Sequence, residues 1–264
     1  MGVLNVTPDS FYDGGKFMEN EKVLTQTKRM LDEGASFIDI GGASSKPGSD
    51  PVSPKEEIER VIPAISTILK SFPKAVISID TTSSLVAEKA VNSGAAIVND
   101  ISAGTNDKRM LETVASLGVP YIAMHMQGTP KTMQNNPTYQ NVVTDVFAAL
   151  ERFCNRATQL GIEQLIIDPG FGFGKTLSHN YQLLNQLEKF HSLGCPLLVG
   201  VSRKSMIQQI VDVDAENALN GTTAIHTIAV QKGASILRVH DVKEAVQVFQ
   251  LVNYLNNQES TPTA

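Results

Sequence analysis

The sequence predicts an α/β fold, a (β/α)8 TIM barrel whose eight parallel strands close into one sheet. Three observations carry that expectation. Apolar runs of strand length occur eight times, at Gly2–Val6, Phe37–Gly41, Val76–Asp80, Ala96–Asn99, Tyr121–His125, Leu165–Asp168, Leu197–Val201 and Ser235–Val239. Helix-length amphipathic patterns fill the gaps, so neighbouring strands pair in parallel through right-handed crossovers. The runs also share an entrance: EGASFIDI, SGAAIVND, LGVPYIAM, LGIEQLII, LGCPLLVG and KGASILRV each place Gly where the preceding helix ends in a left-handed cap. Eight such units in 264 residues match the size of a barrel. A doubly wound open sheet is the alternative, because periodicity does not show closure.

Taken in order, the first run ends at Asn5 and opens into a loop from Thr7 to Met18, TPDSFYDGGKFM. The second feeds the loop Ala43 to Val52, ASSKPGSDPV. Both are rich in Gly, Pro and Ser, and their place after the first two strands suits lids over a ligand. Ser53-Pro54-Lys55-Glu56 reads as a capping box with Pro at the first helical position, followed by Ile58, Val61, Ile62, Ile65 and Leu69 on one face. The longest helical pattern runs from Asn136 to Leu160 with Val142, Val143, Val146, Leu150 and Phe153 as its stripe. The last helix is expected to open at Asp241-Val242-Lys243-Glu244 and to turn Val246, Phe249, Val252 and Tyr254 or Leu255 inward. Residues 1–256 form one domain on this reading, and 257–264 a disordered tail.

Leu165 to Thr176, LIIDPGFGFGKT, organises the chain. The run delivers Asp168 at a strand end and then breaks into a turn that Pro169, Gly170, Gly172 and Gly174 keep irregular. Its likeness to a nucleotide loop fails by residue. A Walker loop needs Gly six positions before its Lys, where this chain has Pro169, and a dinucleotide fingerprint needs Gly at the position of Lys175. What remains is a carboxylate beside a glycine-rich, aromatic-bearing turn, suited to a small planar ligand with paired N–H donors.

A net charge of −5 without a basic run argues against nucleic acid or an anionic membrane as partner. Cys154 and Cys195 are the only cysteines, with no CxxC, so neither a disulfide framework nor a zinc site is suggested and a reducing cytoplasm fits. No apolar run reaches the ~20 residues of a membrane span.

In a parallel barrel the strand ends converge on one rim. That rim would gather Asn5, Asp39, Asp80, Asn99, Asp100, His125, Asp168, Ser202, Lys204, Arg238 and His240. Asp39, Asp100 and His125 are read as caps or buried hydrogen-bonding groups. Arg238 and His240, two apart on the last strand, leave it on the same side and make an anion site, unless Arg238 pairs with a local carboxylate. Lys204, in the Ser202-Arg203-Lys204-Ser205 loop, reads as a ligand-binding cation or a Schiff-base lysine.

LNVTPDSF, DIGG, SIDT, VNDISAG, MHMQGTPKTMQ, DPGFGFGK, GVSRKSMI and LRVHDV, in this order, resemble the dihydropteroate synthase family. The resemblance implies a barrel enzyme that joins 6-hydroxymethyl-7,8-dihydropterin diphosphate to 4-aminobenzoate, releasing diphosphate. By motif, Asp168 would accept from the pterin 2-amino group and ring N–H, Asp80 and Asn99 would complete its polar edge, and Met124 and Phe173 would pack on the ring. Lys204 and Gly200 would belong to the same pocket. Arg238, His240 and Asn5 would hold the diphosphate, with Mg2+ at Asn5. Lys204, Arg238 and His240 would be the catalytic cations. Phe11, Ser45, Lys46, Pro47 and Ser202 would shape the aminobenzoate pocket. A homodimer through the late helices is also implied, and fusion to a pyrophosphokinase domain ahead of Met1 is compatible with it. One departure matters. Where the family has GGESTRPG, this chain has Ala43, Ser45 and Lys46 in place of an acid, a Thr and an Arg, and Lys lacks the planar bidentate fork. Altered aminobenzoate affinity and sulfonamide response are expected. The competing functions are a folate-binding methyltransferase domain and a non-catalytic barrel within a fused enzyme.

Overall fold

The computed structural model describes residues 1–7, 15–44 and 48–259, the side chains at 15–19 and 259 excepted. Strands and helices alternate as β1 (Gly2–Asn5), α1 (Gly15–Asp32), β2 (Ile38–Gly41), α2 (Pro54–Ser71), β3 (Ile77–Asp80), α3 (Ser84–Asn92), β4 (Ile97–Asp100), α4 (Met110–Leu117), β5 (Tyr121–Met124), α5 (Val142–Gln159), β6 (Leu165–Asp168), α6 (Leu177–Asn185), β7 (Leu198–Val199), α7 (Ser205–Val211), α8 (Leu219–Gln231), β8 (Ile236–Leu237) and α9 (Val242–Glu259). A 3-10 helix, Leu187–Leu193, lies between α6 and β7.

β1 to β6 pair consecutively and in parallel, and β7 pairs with β8. Two single parallel bridges, Ile167 to Leu197 and Gly2 to Val239, join these groups at both ends. They are carried by Ile167 N to Pro196 O at 3.0 Å, Val3 N to Val239 O at 3.0 Å and Val239 N to Met1 O at 2.9 Å. All eight strands therefore stand in one ring, and the open-sheet alternative falls. The seventh and eighth ladders are shorter than expected because Pro196 has no N–H to give and the Leu197 carbonyl is shared by Ser235 N and Ile236 N.

The repeated glycine entrance has the predicted cause. Gly34, Gly94, Gly118, Gly161, Gly194 and Gly233 all have positive φ at the end of the preceding helical segment. The capping box at α2 also forms: Ser53 Oγ accepts from Glu56 N at 3.3 Å, and Ser53 N donates to Glu56 Oε2 at 3.1 Å. The core lies in the layer between strands and helices, with Tyr121, Phe171 and Phe190 fully buried. Each such side chain contributes about 1.5–3 kcal/mol of burial.

Three expectations fail. The helix expected from Asn136 begins at Val142, because Asn136 has φ +48° and Pro137 follows it, while Asn141 Oδ1 caps Val143 N and Thr144 N at 3.1 Å each. α9 opens at Val242 as expected, with the Asp241 carboxylate held by Arg203 through Nε and Nη2 at 2.8 Å each. Tyr254 and Leu255 are exposed, because the buried stripe of α9 passes through Val242, Ala245, Val248 and Val252. The helix also continues to Glu259, inside the segment expected to be a disordered tail.

Candidate active site

β-strand alternation sends Asp39 and Asp80 inward from neighbouring strands, and β8 brings Arg238 between them. Arg238 Nε donates to Asp39 Oδ2 and Nη2 to Asp80 Oδ2, both at 2.6 Å. Asn99 Nδ2 completes the cluster by donating to the same Asp39 oxygen at 3.0 Å. The carboxylate reading of Arg238 is thus correct for two of its nitrogens. The anion reading keeps the second N–H of Nη2 and both of Nη1, for which no hydrogen bond forms among the described residues. Burial pushes the Asp80 carboxyl up and the Arg238 charge opposes it; the carboxylates Asp39 and Asp80 raise the guanidinium pKa against burial.

A second group meets at Gly200. A Cβ built there would lie 3.8 Å from Arg238 Cβ, 3.9 Å from Lys204 Nζ and 4.0 Å from Asp168 Oδ2. The strand-end acid and the cations therefore face one bowl, with a glycine where a side chain would fill it. Asp168 is 6% exposed, and burial raises its pKa against the pull of Lys204. Its Oδ1 accepts from Gly170 N at 2.7 Å, leaving Oδ2 toward the bowl. Lys204 Nζ donates to the Phe171 carbonyl at 2.5 Å and stands 4.6 Å from the Phe173 ring centroid. Burial lowers its pKa to about 8, a desolvation that nothing in the local sequence signals. Met124 and Phe173 pack in one apolar cluster with Met133, Ile101 and Met126. This cluster supplies a flat apolar wall beside the acid.

The glycine-rich turn is held against β5. A Cβ at Gly170 (φ +73°) would land on the His125 carbonyl, and one at Gly174 (φ +65°) on Gln127 backbone. Lys175 locks the turn from beneath: its Nζ reaches the Gly170 carbonyl at 2.9 Å, the Phe173 carbonyl at 3.0 Å, and His125 Nδ1 at 3.1 Å. Burial takes this lysine down to about 7, and burial with the Lys175 charge takes His125 to about 3. Lys175 is a strut, a role that counting residues against a phosphate loop cannot reveal. Asp100 faces the other side of β4 from Asn99 and binds Ser102 N, Gly104 N and the Tyr121 hydroxyl, as a buried hydrogen-bonding group should.

Toward the rim, Asn5 is exposed. A Cβ at Gly41 would lie 3.4 Å from Asn5 Oδ1 and 3.6 Å from Asp80 Oδ2. Asp80 is committed to Arg238, so Asn5 offers one neutral oxygen at the mouth. No group of three His, Cys, Asp or Glu residues able to hold a metal exists among the described residues. A single neutral oxygen fits a hard cation that keeps most of its waters. Ser202 Oγ meets His240 Nδ1 at 3.1 Å and accepts from His240 N at 3.2 Å, so the expected pocket serine positions the imidazole. Phe11, Ser45, Lys46 and Pro47 lie outside the described residues. Beside the bowl, and sharing Asp80 with it, a cleft of ≈ 500 Å³ runs along Ser44, Thr81, Ser102 and Thr129. Glu57 lines it, and burial brings this carboxyl up to about 7.

Residues 1–240 match the family described as pterin binding enzyme. A dihydropteroate synthase of Haemophilus influenzae is 49% identical over 244 residues, covering 92% of this chain and 88% of that protein. The chain belongs to the dihydropteroate synthase family. Two solved structures of family members superpose closely. The Yersinia pestis dihydropteroate synthase with a sulfonamide drug complex has a TM-score of 0.90 at 42% identity, covering 97% of this chain and 93% of that one. The Xanthomonas albilineans dihydropteroate synthase in complex with 7,8-dihydropteroate has a TM-score of 0.87 at 37% identity, covering 99% and 93%. The chain is accordingly a transferase of folate biosynthesis, and the methyltransferase reading is set aside. Among the described residues, no helix is long and apolar enough to cross a membrane.

Proposed function

We propose that this dihydropteroate synthase family member condenses 6-hydroxymethyl-7,8-dihydropterin diphosphate with 4-aminobenzoate to give 7,8-dihydropteroate and diphosphate. The meeting of Asp168, Lys204 and Arg238 around Gly200 carries the reading. Asp168 Oδ2 accepts the paired N–H donors of the pterin, and Met124 and Phe173 flank the ring. Each charge-assisted bond contributes about 1.5–3 kcal/mol. Asp80 and Asn99 are already bound to Arg238 and Asp39. They reach the ring with their remaining acceptor positions.

Arg238, His240 and Asn5, at the C-terminal ends of the last and first strands, receive the diphosphate; Asn5 and His240 are exposed. Asn5 Oδ1 would hold Mg2+, which supplies charge neutralisation to the departing diphosphate when bound. Departure precedes attack: the pterin cation left at the exocyclic carbon is captured by the arylamine. Holding the amine in line and stabilising developing charge then account for the rate. No side-chain nucleophile is required.

A homodimer through the late helices belongs to the same reading, supported by exposed Ile210 and Val211 on α7, Ile228 on α8, and Leu251, Tyr254 and Leu255 on α9. Sedimentation equilibrium of wild type against Leu251→Glu measures it. A cytoplasmic location is supported by two free thiols. Incubation with pterin diphosphate, 4-aminobenzoate and Mg2+ tests the function: dihydropteroate and diphosphate appear together, and absence of dihydropteroate leaves only the non-catalytic module.

A further inference from the structure

The two cysteines, 41 residues apart in sequence, meet in space. Cys154 Sγ on α5 lies 3.9 Å from Cys195 Sγ, which follows the 3-10 helix and precedes Pro196 at the entrance to β7. Both are free thiols. α5 and the 3-10 helix that ends two residues before Cys195 are packed together by Phe147 and Phe190, whose ring centroids are 6.0 Å apart. Their environments differ. Cys154 is buried, 9% exposed, whereas Cys195 is half-buried and reachable from solvent. Neither touches the bowl that binds substrate.

We propose that Cys154 and Cys195 form a reversible thiol–disulfide site, oxidised by low-molecular-weight disulfides, with Cys195 attacking and Cys154 resolving. The Cys195 thiolate attacks one sulfur of a disulfide RSSR. A protein–SR bond forms, the S–S bond of the reagent breaks, and one thiolate RS− leaves. Cys154 then loses its proton to water and attacks Cys195 Sγ, expelling the second RS−. The balance is two protein thiols and RSSR giving one protein disulfide and two RSH. The difference in burial supports this division, since a reagent in solvent meets the half-buried Cys195 before the buried Cys154.

The closed loop would run from α5 to β7 and enclose all of β6, Asp168 and the glycine-rich turn. Crosslinking loops of this length restricts the unfolded chain and raises the melting temperature by several degrees.

Incubating the reduced full chain with excess oxidised glutathione near neutral pH tests this. Both thiols should disappear together, peptide mass mapping should find Cys154 joined to Cys195 within one chain, and the melting temperature should rise and revert on reduction. Cys154→Ser should retain one glutathione on Cys195, and Cys195→Ser should stay unmodified at Cys154. Surviving thiols, glutathione retained on wild-type Cys195, a crosslink between two chains, or a lowered melting temperature each overturns the proposal. Wild-type mapping decides it even if a variant does not fold.

Discussion

Arg238 and Asp80, 158 residues apart in sequence, are joined Nη2 to Oδ2 at 2.6 Å, and the same guanidinium holds Asp39 through Nε. The arginine ties the last strand to the second and third across the barrel. Arg238→Ala would strand two buried carboxylates. The expected loss of stability near neutral pH is about 3–5 kcal/mol, read as a lower urea midpoint. A midpoint equal to wild type would show that the cluster contributes nothing to folding.

Asp168→Asn keeps an oxygen for Gly170 N but loses the charge that pairs with pterin N–H groups. Affinity for the pterin should fall about 10–150-fold, the equivalent of 1.5–3 kcal/mol. Thermal stability should not fall, because burial already disfavours the ionised form. Calorimetric titration with the pterin, beside a thermal melt, separates the two effects.

Lys204 must be protonated to donate to the ligand, and burial lowers its pKa to about 8. Rates at limiting pterin substrate should fall as pH rises through about 8, with no such limb in Lys204→Gln at its lower activity. The linked stability has the opposite sense. Between about 8 and 10.5 the unfolded state holds more protons than the folded one, so this group's contribution to stability rises with pH. A pH–rate profile of kcat/KM beside a stability profile reads both.

Glu57 is raised to about 7 from 4.5 by burial, and its Oε1 has no hydrogen-bond partner among the described residues. Between these values the folded state holds more protons, so stability falls as pH rises through the folded pKa. Glu57→Gln removes that slope and should be about 1–3 kcal/mol more stable than wild type above pH 7. Denaturation curves taken on both sides of pH 7 report it, and parallel wild-type and variant profiles would contradict the assignment.

Ser45→Thr with Lys46→Arg restores the family's loop residues and the bidentate fork. The KM for 4-aminobenzoate should change, with the KM for the pterin substrate nearly constant. Unchanged aminobenzoate kinetics would remove any role for this departure.

Much of this was legible in the sequence because backbone chemistry writes it there. A Gly before six of the eight strands marks a left-handed cap, and period-two alternation forces Asp39, Asp80 and Asn99 to share the barrel interior. Contacts between distant segments left no such mark. Arg238 could be read as an anion site or as a carboxylate partner, because which acid faces it depends on closure. Lys175 sits in a stretch whose likeness to a phosphate loop fails by residue, and its partners, main-chain carbonyls and His125 Nδ1, leave no signature beside it in the sequence. Ser202 reads as a pocket residue, and its contact with His240, 38 residues away, has no mark in the sequence. Tyr254 and Leu255 fit the helical period but lie beyond the stripe that α9 buries.

The central claim is that one bowl binds a heterocycle with Asp168 and its diphosphate with the cations at the mouth. Affinities of hydroxymethyl-dihydropterin with and without its diphosphate, measured for wild type, Asp168→Asn and His240→Ala, test it most directly. The account predicts that Asp168→Asn weakens both ligands alike, while His240→Ala weakens only the diphosphate form. Equal weakening of both ligands by His240→Ala, or no effect of Asp168→Asn on either, would contradict it.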